Sequence, residues 1–145
     1  MGSVRPPPGI EELQAWTLQD AAQLRVMRGS LFATVTGQDL VAQFTLGGVA
    51  DRMVLVATEL ATNALVTGLP PTTVRLCRCG ADFVLDVVDG DLRTLPGSAA
   101  VEESGNTPLW LRMAQRFSSE VGWYVTGSGR HVWARFHDDE HQEDR

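Results

Sequence analysis

The stretch ELATNALVTGLPPTTVRLCRCGADFVLDVVDG, residues 59–90, contains a helix end, a turn and two strands, and it decides the fold. Its first part closes an apolar helix that we expect to begin near Asp51 and to reach about Val66. Two prolines follow Gly68 and forbid continuation of that helix. The next two runs are rich in β-branched residues and are joined by a short link with a glycine, which predicts an antiparallel hairpin.

The segments on either side predict two more helices and a second hairpin. Upstream, Asp20 is a suitable N-cap for a helix that Gly37 ends. Downstream, Thr107 is a suitable N-cap and Pro108 a favourable first residue for a third helix. The final run GWYVTGSGRHVWARF predicts a hairpin around Gly-Ser-Gly. The expected buried positions are Leu24, Met27, Leu31 and Val35 in the first helix, and Trp110, Met113, Phe117 and Val121 in the third.

The order of these elements is helix, helix, two strands, loop, helix, two strands. It predicts an α+β fold, a two-layer sandwich of one sheet and its helices. Residues 10–136 are predicted to form this single domain. Residues 1–9, with three consecutive prolines, are predicted to form a flexible arm, and residues 137–145 an acidic tail. The segment from 92 to 106 has no periodicity, and loops of such length are often functional.

The composition excludes several classes of function. The chain has 145 residues, of which 43% are hydrophobic, and this suits one domain with a core of its own. A net charge of -6 argues against general binding of nucleic acids or anionic membranes. No apolar run approaches the length of a membrane span or of a signal peptide. Cys77 and Cys79 are spaced unfavourably for a disulfide on one strand, so we expect a reduced, cytoplasmic protein.

Glu59 and Asn63 are the first candidates for a functional site. They lie four residues apart in the most apolar helix and are therefore neighbours on one side of it, together with Leu55, Leu60 and Val66. A carboxylate among apolar groups must be paired, hydrated or bound to a cation. An adjacent water-filled cavity or a bound cation would explain it, and an ion pair with Arg28 or Arg75 is the structural alternative.

Asp89 and Gly90 end the second strand of the first hairpin. An aspartate at a strand end can accept a hydrogen bond from an amino group, and the adjacent glycine lets a ligand approach the backbone. Asp-Gly after a strand is more often a simple turn. The two interpretations stay open on these residues alone.

Taken in order, these motifs resemble those of a known family. They are a helix with E-L-x-x-N-A, a hairpin whose second strand ends in Asp, a loop, a helix opening with L-W-L and a final strand G-x-x-V-W-A-x-F. The chain thereby resembles the histidine-kinase-like ATPase domain of the anti-sigma factor serine kinases, in the superfamily that includes gyrase. The resemblance covers roughly residues 14–136. It implies the Bergerat-type ATP-binding fold, with a mixed, mostly antiparallel sheet and helices on one face.

The resemblance also implies roles for individual residues. Asn63 matches the residue that holds Mg²⁺ at the ATP phosphates, and Glu59 matches the carboxylate that accepts a proton from the attacking hydroxyl group. Asp89, followed by Gly90, matches the residue that accepts a hydrogen bond from the adenine amino group. Gly105 and Thr107 are the remaining candidates for contact with the nucleotide phosphates. The implied cofactors are ATP and Mg²⁺.

The sequence departs from the family pattern at the phosphate loop. Where the family has a glycine-rich turn before the helix, this chain reads GNTPLWL, and Pro108 removes one N–H donor. Thr107 stands where a basic residue often lies. Three states are compatible with this loop: an active serine kinase, a nucleotide binder without phosphate transfer, and a nucleotide-independent protein-interaction module.

The resemblance finally implies partners. A domain of this family is a cytoplasmic bacterial regulator that works by partner switching. It binds a sigma factor, or it phosphorylates a serine of an antagonist protein. Homodimers form through the first helix and the adjoining strand, and neither nucleic acid nor membrane is contacted directly.

Overall fold

The computed structural model describes residues 5–6, 8–36, 48–67, 71–89, 108–127 and 129–137. Within these ranges the chain forms five strands, three α-helices and one short 3-10 helix, Ala21–Gln23. The strands are β1 (Glu11–Leu18), β2 (Thr72–Cys79), β3 (Asp82–Asp89), β4 (Glu120–Thr126) and β5 (Gly129–His137). The helices are α1 (Leu24–Thr36), α2 (Val49–Thr67) and α3 (Leu109–Phe117).

The five strands form one sheet in the order β1-β2-β3-β5-β4. Each of its four strand pairs is antiparallel. The α+β class and the two-layer sandwich are therefore confirmed. The predicted element order was wrong in lacking β1, an edge strand whose Leu18 lies opposite Thr72. Most of its side chains are exposed, so the sequence of β1 lacks the clear alternation by which the other strands are found.

All three helices pack on one face of the sheet, which we call the helix face. Alternate residues of neighbouring strands meet there, as Leu76 does with Leu85, and Leu85 with Ala134. The hydrophobic core on this face joins every strand to the helices. Its main members are Leu18, Val74, Leu76, Phe83, Leu85, Val87, Val132, Ala134 and Phe136 from the strands, and Met27, Leu31, Met53, Val56, Leu60 and Ala114 from the helices.

The first helical turn follows the cap that the sequence predicts. The Asp20 carboxylate accepts a hydrogen bond from the Ala22 N–H at 2.9 Å, and the Gln23 side chain accepts one from the Asp20 N–H at 3.4 Å. This turn leads directly into α1. α2, at 19 residues, is the longest helix described. No helix in the described ranges is both long enough and apolar enough to cross a membrane.

The third helix is shorter than the sequence predicts. α3 begins at Leu109 with Pro108 in the N-cap position, and no side chain caps it, so the assignment of the N-cap to Thr107 was wrong. The helix ends at Phe117, because Ser118 adopts extended backbone angles and the Ser119 N–H bonds to the Arg135 carbonyl at 2.8 Å. Val121, which the helical spacing assigned to this helix, belongs to β4.

The opposite side of the sheet, the second face, is also buried in its centre. Cys77, Val84, Tyr124 and Trp133 form a small cluster there, and Ile10 packs against it. The preceding residues reach the same face. Arg5 lies over the Tyr124 ring, and the Cys79 thiol donates to the Pro8 carbonyl at 3.8 Å. The predicted arm therefore contacts the sheet at the residues that the structure describes.

We predict that Gly122→Ala destabilises the fold. A Cβ atom at this position would lie 2.6 Å from Nε1 of the fully buried Trp133 indole. Overpacking of this kind lowers the free energy of unfolding by about 1–3 kcal/mol. The measurement is urea denaturation of both proteins.

Gly29→Ala is the matched control, because a Cβ atom there meets nothing within 4 Å and the residue lies inside α1. This control should raise stability by about 0.5–1 kcal/mol. Equal effects of the two substitutions would contradict the assigned packing of Trp133 on Gly122.

Candidate functional site

Glu59 and Asn63 lie one turn apart on the flank of α2, and both side chains are partly exposed. They border the buried stripe of the helix, which includes Leu60 and Ala64. Val66, expected on the same side, is 77% exposed. The two polar side chains are thus placed between the core and the surface, where a ligand can reach them and water can hydrate the carboxylate.

The ion pair proposed as the structural alternative for Glu59 does not form with Arg75. The side chain of Arg75 extends over the second face, where it pairs with Asp86 at 3.1 Å and with Glu12 at 3.5 Å. α2 packs on the other face, so the sheet itself separates this guanidinium from Glu59. None of the ion pairs seen between described residues involves Glu59, and Arg28 on α1 is exposed.

Asp89, the last residue of β3, is buried and paired. Its Oδ2 accepts a hydrogen bond from Nη2 of Arg130 at 2.7 Å, and the two side chains are only 2% and 4% exposed. The residues lie opposite each other in the register of β3 and β5, on the helix face. This partner was not predicted from the sequence. The signal that could have found it is the Gly-Arg pair at the start of the last strand, after the predicted hairpin turn.

Thr72 continues the same row of polar side chains. It is fully buried, and its hydroxyl has no hydrogen-bond partner in the described part of the chain. The pairing of Thr73 with Val88 makes Thr72 the neighbour of Asp89 across the strands. Leaving a hydroxyl group unsatisfied costs about 1–3 kcal/mol. Thr72, Asp89 and Arg130 therefore form a polar end to an otherwise apolar face.

The C-terminal end of α2 lies near this polar end of the sheet. Only residues 68–71 separate Thr67, the last residue of α2, from Thr72 at the start of β2. Asn63 lies one turn before that end. The fold thus places Asn63, Glu59 and Asp89 on the same side of the sheet.

The other candidates lie in the loop between β3 and α3. Gly90, Gly105 and Thr107 are outside the described residues. The described part of this region is Pro108, whose backbone is extended with φ −56° and ψ 151° and whose carbonyl accepts from the N–H groups of Leu111 and Arg112. Pro108 therefore occupies the N-cap position and precedes the first helical residue, whereas the sequence predicted it to be that first residue.

A second polar group, on the second face, was missed by the sequence analysis. Asp86 is 1% exposed, accepts a hydrogen bond from the Tyr124 hydroxyl at 2.9 Å and forms an ion pair with Nη2 of Arg75 at 3.1 Å. Nδ1 of His131 lies 3.1 Å from the same carboxylate, and its Nε2 lies 2.7 Å from Oγ1 of Thr126. The signal was an aspartate in the middle of the apolar strand FVLDVV.

Electrostatics explain the protonation states in this group. Burial, together with the neighbouring Asp86 carboxylate, raises the pKa of Tyr124, so its hydroxyl stays a neutral donor. Burial alone disfavours the charged guanidinium of Arg75, but Asp86 holds the pKa of Arg75 above its usual value. The group is a buried, neutralised network that ties β2, β3, β4 and β5 together.

Comparisons with known proteins add no family assignment. A scan against protein-family models gives no match, and a search of curated proteins gives no significantly similar sequence. The described ranges also contain no group of three or more histidine, cysteine, aspartate or glutamate side chains arranged to hold a metal ion.

We predict strong coupling between Asp89 and Arg130. Arg130→Met leaves the Asp89 carboxylate buried without its guanidinium, and removal of one partner of a buried pair typically costs about 3–5 kcal/mol. The double variant Asp89→Asn/Arg130→Met should lose less stability than the sum of the single variants. Urea denaturation of the four proteins measures this double-mutant cycle, and simple additivity would refute the pairing.

We also predict that Asp82 stabilises the fold in a pH-dependent way. Its carboxylate pairs with Nε of Arg135 at 2.7 Å and with Nδ1 of His137 at 3.0 Å. Burial opposes ionisation, but these hydrogen bonds hold the pKa of Asp82 below its ordinary value of 3.8. As pH falls, the Asp82 carboxylate is therefore protonated at a higher pH in the unfolded state than in the folded state. The stabilisation by Asp82 is present above pH 3.8 and is lost as the pH falls through the lower pKa of the folded state.

The measurement is the free energy of unfolding of the wild type and Asp82→Asn between pH 6 and pH 2. The difference in unfolding free energy between the two proteins should be constant near pH 6 and should shrink as the pH falls below the ordinary carboxyl pKa. A difference that persists unchanged at pH 2 would contradict the assigned ion pairs.

Proposed function

We propose that this domain is a nucleotide-binding regulator of the anti-sigma factor serine kinase type, which binds ATP with Mg²⁺ between α2 and the end of β3. The observation that supports this proposal is the placement of Glu59, Asn63 and Asp89 on one side of the sheet, toward one end. Two of these side chains lie on the flank of a helix and the third ends the central strand. This juxtaposition needs the fold, because Asn63 and Asp89 are far apart in sequence.

Each residue has a defined task in this proposal. The amide oxygen of Asn63 supplies a neutral ligand to Mg²⁺, a hard cation that keeps several waters and bridges the ATP phosphates. The Glu59 carboxylate accepts the proton of a serine hydroxyl group as that oxygen attacks the γ-phosphate. Asp89, held by Arg130, accepts a hydrogen bond from the adenine amino group. Gly90, Gly105 and Thr107 contact the nucleotide from the loop.

The regulator acts in the cytoplasm by partner switching. It binds a sigma factor, and phosphorylation of a serine in an antagonist protein changes which partner is free. A homodimer through α1 and the adjoining strand belongs to the same proposal. These partners rest on the family resemblance of the sequence.

A second candidate function is a nucleotide-independent protein-interaction module on the same fold. The buried Asp89–Arg130 pair favours it, because the carboxylate expected to contact adenine is already neutralised by a guanidinium at 2.7 Å. Pro108 favours it as well, since a proline at the start of α3 contributes no N–H donor to a phosphate. The two candidates differ in whether nucleotide is bound at all.

We predict saturable binding of ATP and ADP to the purified domain in Mg²⁺, measured by titration calorimetry. Asn63→Ala should weaken binding by about 10–100-fold, because a hydrogen bond or ligand to a charged group contributes about 1.5–3 kcal/mol. Thr58→Ala is the matched control on the same helix, about 140° around it from Asn63. This control should bind like the wild type.

Glu59→Gln separates binding from phosphate transfer. We expect this variant to bind Mg-ATP with near-normal affinity but to fail in transferring phosphate to an antagonist protein, since the amide cannot accept the proton. Absence of any binding heat at millimolar nucleotide, with the domain shown to be folded, would reject the first candidate in favour of the interaction module.

A further inference from the structure

Three side chains of the Asp86 network form a line that leads from the buried carboxylate to the surface. Nδ1 of His131 lies 3.1 Å from Oδ2 of Asp86, and Nε2 of the same imidazole lies 2.7 Å from Oγ1 of Thr126. Asp86 and His131 are buried, whereas Thr126, the last residue of β4, is partly exposed. The line thus joins a hydroxyl group, an imidazole and a carboxylate, each within hydrogen-bond distance of the next.

The Asp86 carboxylate decides the direction in which the hydrogen bonds of this line run. An ionised carboxylate can only accept, so it takes the hydrogen bond from a proton on Nδ1 of His131. In a neutral imidazole Nε2 then carries a lone pair, and the Thr126 hydroxyl donates to it. The Arg75 guanidinium, 3.1 Å from Asp86, already balances the charge of that carboxylate, so the network needs no second cation at His131.

Tyr124 holds both the imidazole and the carboxylate in place. Its ring stacks on the His131 ring, with the ring centres 4.3 Å apart and the planes inclined by 14°. Its hydroxyl donates to Asp86 at 2.9 Å. The register of the last hairpin fixes this stack, because Tyr124 and His131 lie opposite each other in β4 and β5. An imidazole oriented by a carboxylate is the arrangement that activates a weak hydroxyl nucleophile.

The hydroxyl end of the line lies beside the turn between β4 and β5. Gly127, the residue after Thr126, is exposed, and a Cβ atom added to it would meet nothing within 4 Å. A small molecule can therefore approach Thr126 from solvent, while Asp86 and His131 remain covered by the protein.

We propose that Thr126, His131 and Asp86 form a nucleophilic site that takes the acyl group of activated esters, those whose leaving group is a stable anion such as a phenolate. Thr126 is the nucleophile, His131 is the general base, and Asp86 is a positioning residue that acts through His131. The site lies on the second face of the sheet, so this activity does not depend on nucleotide binding at the helix face.

The reaction balances with water as the only co-reactant. Oγ1 of Thr126 attacks the ester carbonyl carbon while Nε2 of His131 accepts the hydroxyl proton. The new Oγ1–C bond replaces the C–O bond to the leaving group, and the proton on Nε2 passes to the leaving oxygen. A water molecule, deprotonated by the same nitrogen, then attacks the acyl carbon and releases the carboxylic acid and the free threonine hydroxyl group.

The tautomer of His131 gives the first test and needs no substrate. It is measured by nitrogen NMR on the full chain with labelled histidine, and Thr126→Val identifies the His131 signals because it removes the group bonded to Nε2. We expect a proton on Nδ1 and none on Nε2, and Asp86→Asn should shift the Nδ1 signal. A proton on Nε2 would make Thr126 the acceptor of this hydrogen bond and would overturn the proposal.

The second test is the release of p-nitrophenolate from p-nitrophenyl acetate, followed by absorbance. All proteins carry Cys79→Ser, because this partly exposed thiol would itself take the acetyl group. Thr126→Val, which has nearly the same shape without the hydroxyl, should lower the protein-dependent rate by about 100-fold or more, since a positioned base contributes at least that much. Thr126→Ser keeps a hydroxyl group and should keep the activity.

Thr17→Val is the matched control, because this strand hydroxyl lies 3.4 Å from the Thr73 hydroxyl and not against an imidazole. It should release p-nitrophenolate at the rate of its parent, and urea denaturation verifies that each variant is folded. Mass spectrometry after an acid quench should find the acetyl group on Thr126. An unchanged rate in folded Thr126→Val, or acetylation confined to other residues, would mean that the contact between Thr126 and His131 is only structural.

Discussion

Three carboxylates in one buried strand form the constraint on which the rest of this structure depends. β3 is hydrogen-bonded on both edges, and Asp82, Asp86 and Asp89 are each at most 9% exposed. A buried carboxylate without a partner costs several kcal/mol. Each of the three has a basic partner on the neighbouring strand β5. Asp82 contacts Arg135 and His137, Asp86 contacts His131, and Asp89 contacts Arg130.

These ion pairs, together with the hydrogen bond between His131 and Asp86, favour one register of β3 and β5. The apolar residues of both strands are mainly Val, Leu, Ala and Phe, and packing alone discriminates weakly between similar alignments of such side chains. A slip by one residue would move each side chain to the opposite face and separate all three carboxylates from their partners. The electrostatic pattern therefore selects one alignment, and the Trp133 indole, seated against Gly122 of β4, is compatible with it.

The same sheet separates two surfaces that carry different polar groups. The helix face carries α2 and the polar end at Asp89, where the proposed nucleotide site lies. The second face carries the Asp86 network, where Arg5 lies over the Tyr124 ring. Because β3 and β5 contribute side chains alternately to both faces, a change in the position of these strands would move side chains on both faces.

The local sequence was sufficient for most elements. The apolar helix that ends before two prolines, both hairpins and the cap at Asp20 follow from short-range rules that involve neighbouring residues only. The candidate site was predictable in part. Glu59 and Asn63 are adjacent because a helix makes them so, and Asp89 ends a strand as expected, but its partner Arg130 is 41 residues away.

The contacts between distant segments were decided only by the tertiary structure. β1 becomes a strand because β2 offers it an edge, and its own mostly exposed side chains carry no signal for that pairing. The hydrogen bond between Tyr124 and Asp86 likewise joins residues 38 positions apart, and the contact of Arg5 with the Tyr124 ring joins residues more than 100 positions apart. Periodicity records which face of its own element a residue occupies. The partner across the sheet is set by register and topology, which no local pattern contains.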